Sequence, residues 1–161
     1  MIRLAARVAS IFLVLFCGVV NGAEILDDSP SPVQQLRLQF EWLEESALEI
    51  GNQPDNQMVG HLHRVDVRLD TSSYVGERAK IYLRLPRLTE GAIADSELRV
   101  SWETDGFFNS GEVSPGTRAL LYEGVVTDSI TRELFDFTIY FRAWIMSDSL
   151  RILPVYEIER F

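Results

Sequence analysis

Cysteine and lysine are nearly absent from this chain of 161 residues: Cys17 and Lys80 are the only ones. Without a thiol beyond position 17, the remainder can form neither a disulfide nor a thiolate metal site, so its fold must be held by core packing. Without a basic cluster there is no footprint for nucleic acid, whose binding is driven by counterion release. Anionic membrane surfaces are not expected as partners for the same reason. Catalytic motifs are missing as well. There is no G-x-S-x-G, and Ser110 in FNSGE and Ser114 in VSPG sit in ordinary turn contexts. Nor is there a glycine-rich phosphate loop or a D-x-D-x-D-G calcium loop. Acid pairs such as Asp27–Asp28, Glu103–Asp105 and Glu157–Glu159 read as solvated faces of an acidic protein. The expectation is a protein that is not an enzyme and needs no cofactor.

Long apolar runs are missing too, with one exception. Ile11 to Val20 is uncharged and apolar, preceded by Arg3 and Arg7 and followed by the small residues Gly22 and Ala23. That is the layout of a secretory signal peptide, and the run is short for a bilayer span. Cleavage is expected after Ala23, leaving no integral membrane span. A lipid anchor on Cys17 is disfavoured because bulky Phe16 precedes it. Removing 1–23 takes away two arginines and no acids, so the formal charge of −9 becomes −11. A disulfide-free, exported, acidic domain fits the bacterial periplasm or cell surface.

The domain reading is a signal peptide over 1–23, a flexible acidic lead-in over 24–32 (EILDDSPSP), and a single domain over 33–161. Residues 33–50 fit two templates. Leu36, Leu38, Phe40 and Trp42 alternate as in a half-buried strand, whereas Val33, Leu36, Phe40, Leu43, Ala47 and Ile50 fall at helical spacing. The strand is preferred over the first half, since a helix leaves Leu38 and Trp42 off its stripe. Alternation is then clean in HLHRVDVRLD, in Ala79–Leu85 ended by Pro86, in Leu98–Glu103, over Phe135–Trp144, and around Tyr156 and Ile158. Asp105-Gly106 has the composition of a tight hairpin turn and Pro115-Gly116 that of a type II turn. Six or seven short strands with no intervening helical pattern predict an all-β, antiparallel β-sandwich. An immunoglobulin-like arrangement is expected, with Trp102 as the central core residue; a small up-and-down β-barrel, lipocalin-like, is the alternative.

Two sets of side chains carry candidate chemistry. His61 and His63, the only histidines, lie two residues apart on one side of a strand and would bind Zn²⁺ or Cu²⁺ if a third ligand joined them. Trp144, Tyr140 and Tyr82 fall opposite or at the margin of the main apolar faces, and Phe107 and Phe108 follow a turn tip. Planar side chains there either cover a second core, because both faces of a sandwich strand can be partly dry, or are protein-interface anchors or a sugar-stacking platform. The resulting expectation is an exported interaction or assembly module with an envelope or surface protein as partner, of an accessory or pilus-type kind. A glycan- or metal-binding domain is the second reading, and a small hydrolase with an unrecognised site is the third.

Overall fold

A computed structural model describes residues 22–34, 39–42, 57–87, 98–142 and 152–161. The described residues form nine strands: β1 (Glu24–Ile25), β2 (Gln39–Trp42), β3 (Gln57–Asp70), β4 (Arg78–Arg84), β5 (Leu98–Thr104), β6 (Gly111–Val113), β7 (Arg118–Val125), β8 (Ile130–Arg142) and β9 (Val155–Arg160). A short 3-10 turn, Ser72–Tyr74, separates β3 from β4. The long strand β8 shows why the chain folds this way. Thr131, Glu133, Phe135, Phe137, Ile139 and Phe141 are buried, while the residues between them are not, so one face must be covered. The cover is the other sheet.

One sheet has the order β1-β9-β4-β7 and the other β2-β3-β8-β5-β6, all pairings antiparallel. Ala79, Ile81, Leu83, Leu121, Tyr156 and Ile158 from the first meet Val67, Leu69, Leu98, Val100, Trp102 and the β8 aromatics from the second in one apolar cluster. Each fully buried Leu, Ile or Phe contributes about 1.5–3 kcal/mol, which is what a domain without disulfides relies on. Trp102 is 2% exposed, and its indole N–H donates to the Asn109 carbonyl at 2.9 Å, as its expected central place requires.

The antiparallel sandwich is therefore what the chain forms, and among the described residues the sheets end in separate edges, β1 and β7, β2 and β6, rather than closing into a barrel. The strand order refines the immunoglobulin-like expectation. An immunoglobulin sandwich splits its strands ABED and CFG. Here, apart from the hairpins β2–β3 and β5–β6, every connection passes to the opposite sheet. With β2 set aside as an added edge, the eight remaining strands follow the two-Greek-key order of a jelly roll. Alternation reveals which face of a strand is apolar but not which sheet it joins.

Three local features also depart from the linear pattern. Residues 24–32, expected as a flexible lead-in outside the domain, are tied into it, and so is Gln34 just beyond them. β1 pairs with β9, and Leu26 is buried in the core. The Ser31 hydroxyl bridges the Arg68 backbone, and the Gln34 amide makes two bonds to the Asp66 backbone, at 2.9 and 3.0 Å. These side chains take the place of a neighbouring strand along a stretch of β3 that β2 does not cover.

In β3 itself, the register slips between Leu62 and Val65, so that His63 and Arg64 together oppose Asp136. Arg64 has φ 55°, and its N–H donates to Asp136 Oδ1 at 2.6 Å. This bulge reverses the strand's parity: Val67 and Leu69 face the core, while His61 lies beside Thr138 on the outer face.

The third departure is at 105–110, which forms a six-residue connection between β5 and β6. Neither Asp105 nor Gly106 has the positive φ of the two-residue hairpin turn expected there. Pro115-Gly116 does turn as expected: Gly116 has φ 80°, and the Thr117 N–H closes on the Ser114 carbonyl at 3.0 Å. The strand expected over the first half of 33–50 is present at Gln39–Trp42, the rest of that segment lying outside the described residues apart from 33–34.

Candidate binding cleft at the end of the sandwich

The 105–108 turn is shaped by a carboxylate beneath it. Glu133 faces inward from β8 and is only 7% exposed. It accepts hydrogen bonds from the Phe107 N–H at 3.0 Å, from its neighbour Leu134 N–H at 3.0 Å and, more loosely, from the Phe108 N–H at 3.5 Å. Burying a carboxylate is costly unless donors surround it, and the turn supplies them. Gly106 is where the carboxylate passes closest: a Cβ there would lie 1.9 Å from Glu133 Oε2. The glycine is needed for this approach.

The clamp separates two neighbouring aromatics. Phe108 is 4% exposed and packs on Phe135 at 5.9 Å and Tyr122 at 6.4 Å between ring centroids. It is core. Phe107 is 53% exposed, with its ring perpendicular to that of Tyr122, the centroids 5.5 Å apart and the planes at 89°. Tyr122 turns inward because a bulge between Ile81 and Tyr82 of β4 and their β7 partners leaves Leu121 unmatched. The Asn109 N–H then donates to the Leu121 carbonyl at 2.7 Å, tying the segment after Phe108 to the outer edge of β7.

Between these walls lies a cleft of about 250 Å³ lined by Ile81, Phe107, Tyr122, Val126, Thr127, Asp128 and Thr131. Its floor is apolar and its sides are aromatic. Its rim is polar, and among the described residues that line it none is cationic. Behind the rim, Thr71 is fully buried and its hydroxyl donates to the Asp128 carbonyl at 2.7 Å. That bond holds the β7–β8 connection in place. The chain matches no protein-family model, no curated protein and no solved structure. Any functional reading therefore rests on the cleft and the surfaces around it.

The remaining sequence candidates are scattered. Tyr82 lies on the outer face of the β4 sheet with the Arg118 guanidinium 4.1 Å from its ring centre. Tyr140 lies on the outer face of the other sheet, with Arg99 at 4.3 Å. One ring face of each is thus covered by an arginine, and the two rings are on opposite sides of the sandwich, so they do not make one platform. Trp144 lies outside the described residues. His61 and His63 have rings stacked at 6.0 Å and 10° on the outer face of β3. Nδ1 of His61 is 3.2 Å from the Thr138 hydroxyl, and Nδ1 of His63 is 3.7 Å from Asp136 Oδ1. Among the described residues no group of three metal-ligating side chains comes together.

Both outer faces carry ion pairs instead. On one, Arg84 and Arg118 bracket Glu157, with Glu159 2.6 Å from Arg118. On the other, Asp66 takes bidentate contacts from Arg68 and Arg132, and these bonds hold its carboxyl at a pKa of about 2.

Sequence reading found Phe107 and missed the residues that give it a setting. Tyr122, Asp128 and Thr131 carry no local signal, because a bulge and a long-range hydrogen bond place them. Glu133 did carry one. It shares the parity of Phe135, Phe137 and Ile139, and an acid on the apolar side of a strand is a buried acid in search of donors.

Proposed function

We propose that this protein is a non-enzymatic interaction module of the bacterial periplasm or cell surface, exported by its N-terminal segment and working through the Phe107 cleft. The observation that carries this reading is the pairing of an exposed Phe107 with a rigid support. A large apolar ring at a turn tip costs solubility, and the Glu133 clamp and the Tyr122 contact hold it in one place rather than letting it fold inward. Interface anchors are aromatic, pre-positioned and set beside a pocket. The acidic composition, the absence of known catalytic motifs and the apolar run at 11–20 support the same reading.

The test is crosslinking capture of partners from the native envelope fraction, comparing the wild-type chain with Phe107→Ser. Wild type should recover a specific protein that F107S, equally folded by circular dichroism, does not. Equal recovery by both proteins would refute the role of the cleft.

A further inference from the structure

The hydrogen-bonding state of the cleft says which chemistry it accepts. A hydroxyl has one proton to give. That of Tyr122 goes to the Val125 carbonyl at 2.7 Å, and that of Thr127 to Asp128 Oδ2 at 2.7 Å. Thr71 gives its proton to the Asp128 carbonyl, so in the 3.0 Å contact between Thr71 and Thr131 the proton must come from Thr131. Two backbone donors at the cleft are also engaged, the Phe107 N–H with Glu133 and the Val126 N–H with the Glu77 carbonyl at 3.0 Å. Every polar side chain among the described lining residues therefore has only lone pairs left to offer, and Asp128 adds a negative charge.

We infer that the cleft receives one basic side chain, arginine or lysine, from a protein partner. Guanidinium and ammonium groups are donors with no acceptor, which matches a lining of acceptors. The Phe107 and Tyr122 rings line the cleft, and a cation seated there lies within the roughly 6 Å over which cation–π attraction acts. Ile81 and Val126 supply an apolar floor for the methylene stem. The volume of about 250 Å³ falls below the roughly 300–1,000 Å³ of small-molecule sites and suits one anchoring side chain. No described residue of the lining is cationic, and the formal charge of the whole chain is −9, so a basic partner is drawn towards this surface at long range. The inference rests on the cleft being the binding surface, as proposed above, and adds what enters it.

The test is a two-dimensional ¹⁵N–¹H NMR titration of the protein as it is recovered from the cell. The probes are the Nα-acetyl N-methylamides of arginine, lysine, citrulline and glutamate. Citrulline keeps the shape of arginine without its charge. Arginine and lysine should shift the amide signals of Phe107, Tyr122, Asp128 and Thr131, while citrulline and glutamate should leave them in place. Asp128→Asn keeps the backbone carbonyl that Thr71 uses and should weaken the arginine interaction about three- to fivefold. Phe107→Ala should weaken it about two- to fivefold. Equal shifts from citrulline, or no localised shift from either cation, would overturn the inference. Loss of partner capture in F107S together with no cation selectivity would refute the basic anchor and leave the interaction surface standing. Cation-selective shifts with capture unaffected by F107S would do the reverse.

Discussion

Glu133 and Gly106 should behave as one unit when mutated. Glu133→Ala removes the acceptor of the Phe107, Phe108 and Leu134 N–H groups. Hydrogen bonds to a charged group contribute about 1.5–3 kcal/mol each. The Phe108 contact is long, at 3.5 Å, and removing a buried carboxylate recovers part of its desolvation cost. A net loss of about 2–3 kcal/mol follows. Gly106→Ala should cost nearly as much by a different route, since its Cβ, 1.9 Å from Oε2, pushes the same carboxylate off the same donors. In the double variant the methyl group meets no carboxylate and there are no further bonds to lose. The pair should then cost about 2–3 kcal/mol, not the roughly 5 that addition predicts, leaving an interaction energy of about −2 to −3 kcal/mol. Urea unfolding followed by tryptophan fluorescence measures this directly. With a slope of about 2 kcal/mol/M, each single variant and the double variant should lose about 1–1.5 M in midpoint. Additivity within about 0.5 kcal/mol would refute the clamp.

Two further outcomes test the fold and its electrostatics. Phe108→Ala should cost about 3–5 kcal/mol, as for any buried aromatic, and Phe107→Ala under about 1 kcal/mol because its ring is half exposed; similar unfolding midpoints for the two would contradict the split between core and cleft. Asp66, whose carboxyl is lowered from 3.8 to about 2 by its bonds to Arg68 and then Arg132, should add stability above about pH 4 and lose it as pH falls towards 2. The shift corresponds to about 2.5 kcal/mol, reduced to about 1 because both guanidiniums are partly exposed to solvent. The stability gap between wild type and Asp66→Asn should therefore close between about pH 5 and pH 2, and a gap that stays constant would show that the ion pairs contribute nothing.

Much of the sandwich is legible in linear patterns. Ile81 and Leu83, Val100 and Trp102, Phe137 and Ile139, Tyr156 and Ile158 all bury the side that their alternation indicates, because a period of two maps directly onto two faces. Alternation misleads where a bulge intervenes. His61 and His63 share the parity of Val65 and Val67 in sequence, yet the extra residue at 63–64 puts His61 on the outer face. Phe107 and Phe108 are identical and adjacent, and nothing local says that one is core and the other rim.

Composition and period by themselves determined the all-β class, the dependence on an apolar core where a single cysteine allows no internal disulfide, the acidic surface and the central place of Trp102. These properties depend on residue type and spacing, which a chain carries whatever its path. Tertiary structure alone decided the jelly-roll order, the burial of Leu26 beneath what reads as a tail, and the meeting of Phe107, Tyr122 and Asp128 at one cleft. Each of these depends on contacts between segments far apart in the chain, and those contacts are selected by the packing of two whole sheets.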